Sequence, residues 1–333
     1  MSAIKKLFGQ TIIYGFSSVL ARILNFLLVP LYTILFIPSE YAVVSEMYAY
    51  AAFFMVLGSF GMETTFFRFM QTEKSTINSN AFSTAFFFIL FNGFLLSALG
   101  LFFQEEISHI IRHESHPEYI TYFIFIIVLD LLSIIPFALL RQQNKAFKFA
   151  FFKTLNICIN IFFNIFFLLI CPELLNNTFT SNLVATFYNS DTSVGYVFIS
   201  NLIASGITVL MLVPEIKNNT NKFDKKLFKK MISYAWPILV AGIAFIINET
   251  ADKILIKYLL PKGVAMRELG IYSACYKLSI FMTLFVQAYR FAAEPFFFNQ
   301  FNKPDSKKIY AIMLDFFVLF ALMIFLFVML YID

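Results

Sequence analysis

The stretch INETADKILIKYLLP, residues 247 to 261, places Glu249, Asp252, Lys253 and Lys257 inside an apolar run. Their spacing puts all four on one face of a helix over roughly 12 Å. An ionised group at the centre of a bilayer costs about 2.5 to 3.5 kcal/mol on insertion scales. Two arrangements would offset that cost. One is a ladder of ion pairs within the helix, with Lys257 snorkelling toward the outer headgroups. The other is a face lining a water-filled cavity between lobes, where intramembrane charge normally sits. The two are compatible.

Other polar residues lie at similar depth. Arg22 has no acid three or four residues away, so no intrahelical pair accounts for it. Arg290 and Glu294 are spaced as an i, i+4 pair, whereas Lys277 has no local acid. Asp130 stands six residues before Pro136 and reads either as a partner for backbone freed by that proline or as a proton or cation site. Asn156, Asn160 and Asn164 form a stripe suited to interhelical hydrogen bonds, with contact to sugar hydroxyls as the second reading. His109, His113 and His116 recur at i, i+4 and i+7, but neither their spacing nor the flanking acids match a known metal signature, and they read as a wet interfacial loop. No GxSxG, Walker A, HExxH or glycine-rich nucleotide loop occurs, so catalysis has no visible seat and no cofactor or metal is expected.

The elements that must position these groups are membrane helices. The chain is 60% hydrophobic and 14% charged, against about 45 to 50% and about 25% in soluble proteins. Its long continuous apolar runs suit helices rather than the short alternating segments of a β-barrel. They predict an all-α integral membrane protein of about nine transmembrane helices, near residues 11–36, 42–67, 81–103, 119–140, 147–171, 193–213, 231–260, 269–298 and 309–332. Lys5 and Lys6 precede a run too long for a signal-peptide core. Cys158, Cys171 and Cys275 fall within or at the ends of spans and outline no disulfide framework. Lys and Arg crowd the loops on the side of the N-terminus, while only Arg112, Lys262 and Arg267 lie on the other, which predicts a cytoplasmic N-terminus. The net charge of +5 then reflects cytoplasmic anchoring, and a nucleic-acid partner is not expected.

The chain also repeats itself. KKLF at residues 5–8 returns at 225–228, EYAVVSEMYAY resembles ELGIYSACYKL, and ETTFFRF resembles EPFFFNQ, which pairs Glu63 with Glu294. The expected organisation is a complete six-helix lobe over 1–216, a basic cytoplasmic linker over 217–230, and a partial second lobe of three helices over 231–333, as in a truncated chain. Internal repeats of this kind mark transporter folds, whose sites lie between the halves.

The segments KKLFGQTIIYGFSSVLARILNFLLVPLYT, PSEYAVVSEMYAYAAFF, GMETTFFRF, IPFALLRQQNKAFKFA and INETADKILIKYLLP resemble bacterial polysaccharide biosynthesis proteins of the Wzx type, within the multidrug/oligosaccharidyl-lipid/polysaccharide exporter superfamily. That resemblance implies a two-lobe exporter in the bacterial inner membrane that flips an undecaprenyl-pyrophosphate-linked oligosaccharide by alternating access, for O-antigen, capsule or exopolysaccharide. Membrane lipids, a polysaccharide polymerase and glycosyltransferases are the partners it suggests. On this reading Arg22, Lys253, Lys277, Arg290 and Asn160 contact the cargo, and Glu63, Asp130, Glu249, Asp252 and Glu294 pair with the cations or couple transport to an ion. The rivals are a cation-coupled drug exporter of the same superfamily and a membrane-embedded glycosyl- or acyltransferase using Glu105, Glu106 and His109.

Overall fold

The structure is a computed structural model that describes residues 20, 23–71, 79–176, 180–189, 192–220, 222–279, 282–286, 289 and 306–330. Every element among these residues is helical: α1 (Leu28–Leu35), α2 (Pro38–Ser59), α3 (Met62–Gln71), α4 (Ser79–Phe102), α5 (Gln104–Ile110), α6 (Glu118–Gln142), α7 (Ala146–Ile165), α8 (Cys171–Leu175), α9 (Ser181–Val184), α10 (Ser193–Asn219), α11 (Lys225–Leu259), α12 (Lys262–Leu278) and α13 (Ser306–Leu330). A π-helical turn, Phe166–Ile170, joins α7 to α8. Among the described residues eight helices are long and apolar enough to cross a membrane, and a shorter apolar helix over Ile23–Leu35 falls in the expected first span.

Local chemistry sets the helix ends. Pro38 occupies the first turn of α2, where its missing N–H costs nothing, and the Glu40 carboxylate accepts the Ile37 N–H at 3.1 Å. The span therefore begins at Pro38 rather than near residue 42. Asp224 caps α11 by accepting the N–H groups of Lys226 and Leu227 at 2.9 and 3.0 Å. The expected loop over 261–268 is instead helical: Pro261 precedes the first turn of α12, so Lys262 and Arg267 ride on that helix. Between α2 and α3 the helix is broken at Phe60 and Gly61, both at positive φ, and the two segments continue as one span. A Cβ on Gly61 would stand 2.7 Å from Ile238, so glycine serves both the turn and the close passage of α11.

Successive spans run antiparallel, joined at one end by the connections at 103–117 and 260–261 and at the other by those at 143–145 and 222–224. The central post is α6, the most buried span, which packs on α2, α3, α4, α7 and α10. Leu131 and Ile135 of α6, Phe66 of α3, Phe82 of α4 and Phe198 of α10 are all within 1% of complete burial. Between helices in lipid such contacts hold by close packing rather than by removal of apolar surface from water. The last spans join this core through α2: both α11 and α12 pack against it, and against each other. Helix α13 presents mostly exposed apolar side chains.

Candidate functional site

The charged face foreseen on the seventh span divides in two. Glu249, Asp252 and Lys253 remain on one side of α11 and meet Tyr272, Tyr276 and Lys277 of α12. Lys253 Nζ lies 4.2 Å from the centre of the Tyr276 ring, donates to the Glu249 carbonyl at 3.1 Å and approaches Asp252 Oδ1 at 3.4 Å. The hydroxyl of Tyr272 donates to Asp252 Oδ2 at 2.5 Å, and that of Tyr276 to Glu249 Oε2 at 3.4 Å. Lys277 is exposed and makes no ion pair among the described residues. The result is a polar strip at membrane depth that carries two ammonium groups, two phenols and two carboxylates. An ammonium with no acid of its own is equipped to meet an anion, and neighbouring hydroxyls suit a polyhydroxylated group.

Lys257 departs from this strip. It does not snorkel, and it does not complete an intrahelical ladder: its side chain is 3% exposed, and its ammonium donates to both carboxylate oxygens of Glu46, on α2. A carboxylate on a packed neighbour meets the charge at closer range than headgroups beyond the helix end.

A second polar region lies within the first half of the chain. A cavity of about 310 Å³ between α2, α3, α6, α7 and α10 exposes Glu63, Asp130, Arg141, Lys153, Asn156 and Asn201 among its lining. Asp130 accepts a hydrogen bond from Ser205 Oγ at 2.7 Å. Asp130 is also part of the cavity wall. Glu63 pairs with Arg141, whose guanidinium also lies 4.8 Å from the centre of the Phe67 ring. Lys153 sits in the cavity wall, with Nζ 4.4 Å from the centre of the Phe137 ring. Its sequence signal was available, since Lys153 continues the asparagine stripe one turn before Asn156.

That stripe ties helices together. Asn156 Nδ2 donates to Thr208 Oγ1 of α10 at 2.8 Å. Asn164, fully buried, accepts from the Tyr32 hydroxyl of α1 at 2.9 Å and donates to Asn160 Oδ1 at 3.0 Å. Asn160 therefore spends at least one acceptor on its neighbour.

The three histidines do not share a face. Helix α5 ends at Ile110 and Arg112 takes positive φ, so His113 turns inward to Glu46 at 3.1 Å, where it is 8% exposed. His109 stays outside at 3.6 Å from Glu114, and His116 lies 2.9 Å from Glu118. The wet-loop reading thus fails for His113, because the left-handed residue before it breaks the helical register. Arg22, Arg290 and Glu294 lie outside the described residues.

Comparison with protein families matches residues 7–300 to the polysaccharide biosynthesis protein family. The chain belongs to that family. It is a multi-pass membrane protein of polysaccharide biosynthesis, all-helical as expected, with eight spans among its described residues. No curated protein and no solved structure matches it.

Proposed function

We propose that this polysaccharide biosynthesis protein is a flippase that carries an undecaprenyl-pyrophosphate-linked oligosaccharide across the bacterial inner membrane by alternating access, and is not an enzyme. The observation that carries the reading is the strip shared by α11 and α12. There Lys277 is presented without an acid beside Lys253, Tyr272 and Tyr276, within spans that are otherwise apolar. A diphosphate needs cations, its sugars need hydroxyl and carboxylate partners, and the polyprenyl tail stays in lipid. Asp130 and Lys153, in the cavity of the first half, are the proposed groups for coupling to an ion. The N-terminus faces the cytoplasm, the repeat divides the chain into a lobe over 1–216 and a second starting at 231, and the polymerase and glycosyltransferases of the same polysaccharide are its partners.

The test is surface-polysaccharide export in cells that depend on this gene, with membrane abundance measured alongside. Lys277→Ala is expected to abolish export at normal abundance, and Lys277→Arg to retain part of it. Full export by Lys277→Ala would remove the site assignment. The transferase reading is separated by alanine at Glu105, Glu106 and His109 together, which leaves export intact if the protein is a transporter.

A further inference from the structure

Helix α11 meets the first half of the chain through two kinds of surface. Toward the 143–145 end the contact is mostly apolar: Ala235 is fully buried, Ile238 lies over Gly61 and Gly242 faces Val56, with the Arg68 guanidinium 4.4 Å from the centre of the Tyr234 ring. Toward the 103–117 end the contact is ionic. Lys257 Nζ donates to Glu46 Oε1 and Oε2 at 2.6 and 2.7 Å and to the Ile111 carbonyl, while His113 Nε2 lies 3.1 Å from Glu46 Oε2. The next residue, Tyr258, donates its hydroxyl to the Ile110 carbonyl at 2.9 Å and lies beneath the Arg112 guanidinium, 4.9 Å from ring centre to Cζ.

The turn after α5 is shaped for this contact. Arg112, at φ 56°, reverses the chain so that the Ile111 carbonyl and the His113 ring face the same ammonium. Ser108 then braces the turn, its hydroxyl donating to the His113 carbonyl at 3.0 Å and its own carbonyl accepting the His113 N–H at 2.9 Å. Directly beside the cluster lies an apolar cavity of about 650 Å³, bounded by Met47 and Tyr50 of α2, Ile107 of α5, Ile111, and Thr250 and Ile254 of α11. Parting Lys257 from Glu46 would open that space at the 103–117 end.

Dry ion pairs of this kind have two stable conditions. Paired, the charges satisfy each other in a low dielectric; separated, they are stable only once water reaches them. Apolar contacts between membrane helices lack that dependence on water. We propose that Glu46, Lys257 and His113 form the closure of the transport path at the 103–117 end, paired and dry while that end is shut and hydrated when it opens. The inference rests on the transporter reading and adds which end is shut in this conformation and which residues shut it.

Two experiments test it in the full chain, in membranes, with Cys158, Cys171 and Cys275 replaced by serine. In the first, Thr250→Cys reports entry of a membrane-impermeant maleimide. Removing both charges with Glu46→Gln and Lys257→Met is expected to raise the labelling rate by at least about tenfold, as a minor open state gains population. In the second, Glu46→Cys and Lys257→Cys are joined by a short bifunctional thiosulfonate, which is expected to stop polysaccharide export until a reductant is added. Unchanged labelling in the double variant at normal abundance, or undiminished export by the cross-linked protein, overturns the closure. If labelling rises as expected but the unmodified chain exports no polysaccharide in any host, the transport reading fails while the closure stands.

Discussion

Gly270 of α12 lies so close to Pro38, at the start of α2, that a Cβ on it would stand 1.8 Å from the Pro38 carbonyl oxygen. Backbone cannot yield as a side chain can, so any larger residue must push the two helices apart. Overpacking of this kind costs about 1 to 3 kcal/mol, and more where backbone blocks it. Gly270→Ala is expected to lower both the melting temperature of the purified protein and its abundance in membranes. An unchanged melting temperature would show that α12 is held elsewhere.

Lys257 and Glu46 bury opposite charges in a nearly dry setting. Removing Lys257 leaves Glu46 to the His113 ring, and removing Glu46 leaves the ammonium buried without its acid; breaking such a pair costs about 3 to 5 kcal/mol, whereas replacing both with apolar residues of similar size is often neutral or stabilising. Lys257→Met alone should therefore reduce stability sharply, and Glu46→Leu added to it should restore most of the loss. A double-mutant cycle by thermal unfolding in detergent reads the coupling directly. Additive losses would mean the two charges act independently.

Asn164 and Asn160 differ in what their loss leaves behind. Asn164 is fully buried and bonds both Tyr32 and Asn160, so Asn164→Ala orphans the Tyr32 hydroxyl and is expected to cost about 1 to 3 kcal/mol. Asn160→Ala, at a half-buried position, should cost less. Relative membrane abundance of the two variants gives the ordering, and a larger loss at Asn160 would contradict it.

Arg22 is tested by function. If its guanidinium grips a diphosphate through several donors, Arg22→Ala abolishes export at normal abundance and Arg22→Lys rescues it only in part, because an ammonium lacks the planar fork. If Arg22 instead pairs with an acid on another helix, abundance falls together with export. Export and abundance measured side by side separate the two, and normal export by Arg22→Ala removes the clamp.

The spans were legible because a bilayer sets the same length and polarity demand on each helix separately, so apolar runs alone place α4, α6 and α13 closely, and the start of α10. Boundaries failed where capping chemistry extends a helix past its apolar stretch, as at Pro38 and Pro261. The polar strip was half legible. Helical spacing identified Glu249, Asp252 and Lys253 as one face, and Lys277 as a cation without a local acid, but it did not bring Tyr272 and Tyr276 against them.

What the sequence determined by itself is therefore what depends on neighbours along one helix or on the solvent around it: helical spans and the presence of charge that needs a partner. The partners were decided by tertiary structure. Glu46 sits in α2 with nothing in its local spacing to mark it, yet it receives Lys257 from 211 residues away and His113 from a turn whose left-handed Arg112 breaks the helical register. Periodicity sees three or four residues in either direction, whereas a buried charge is satisfied by whichever opposite charge the packing of helices brings within hydrogen-bond reach.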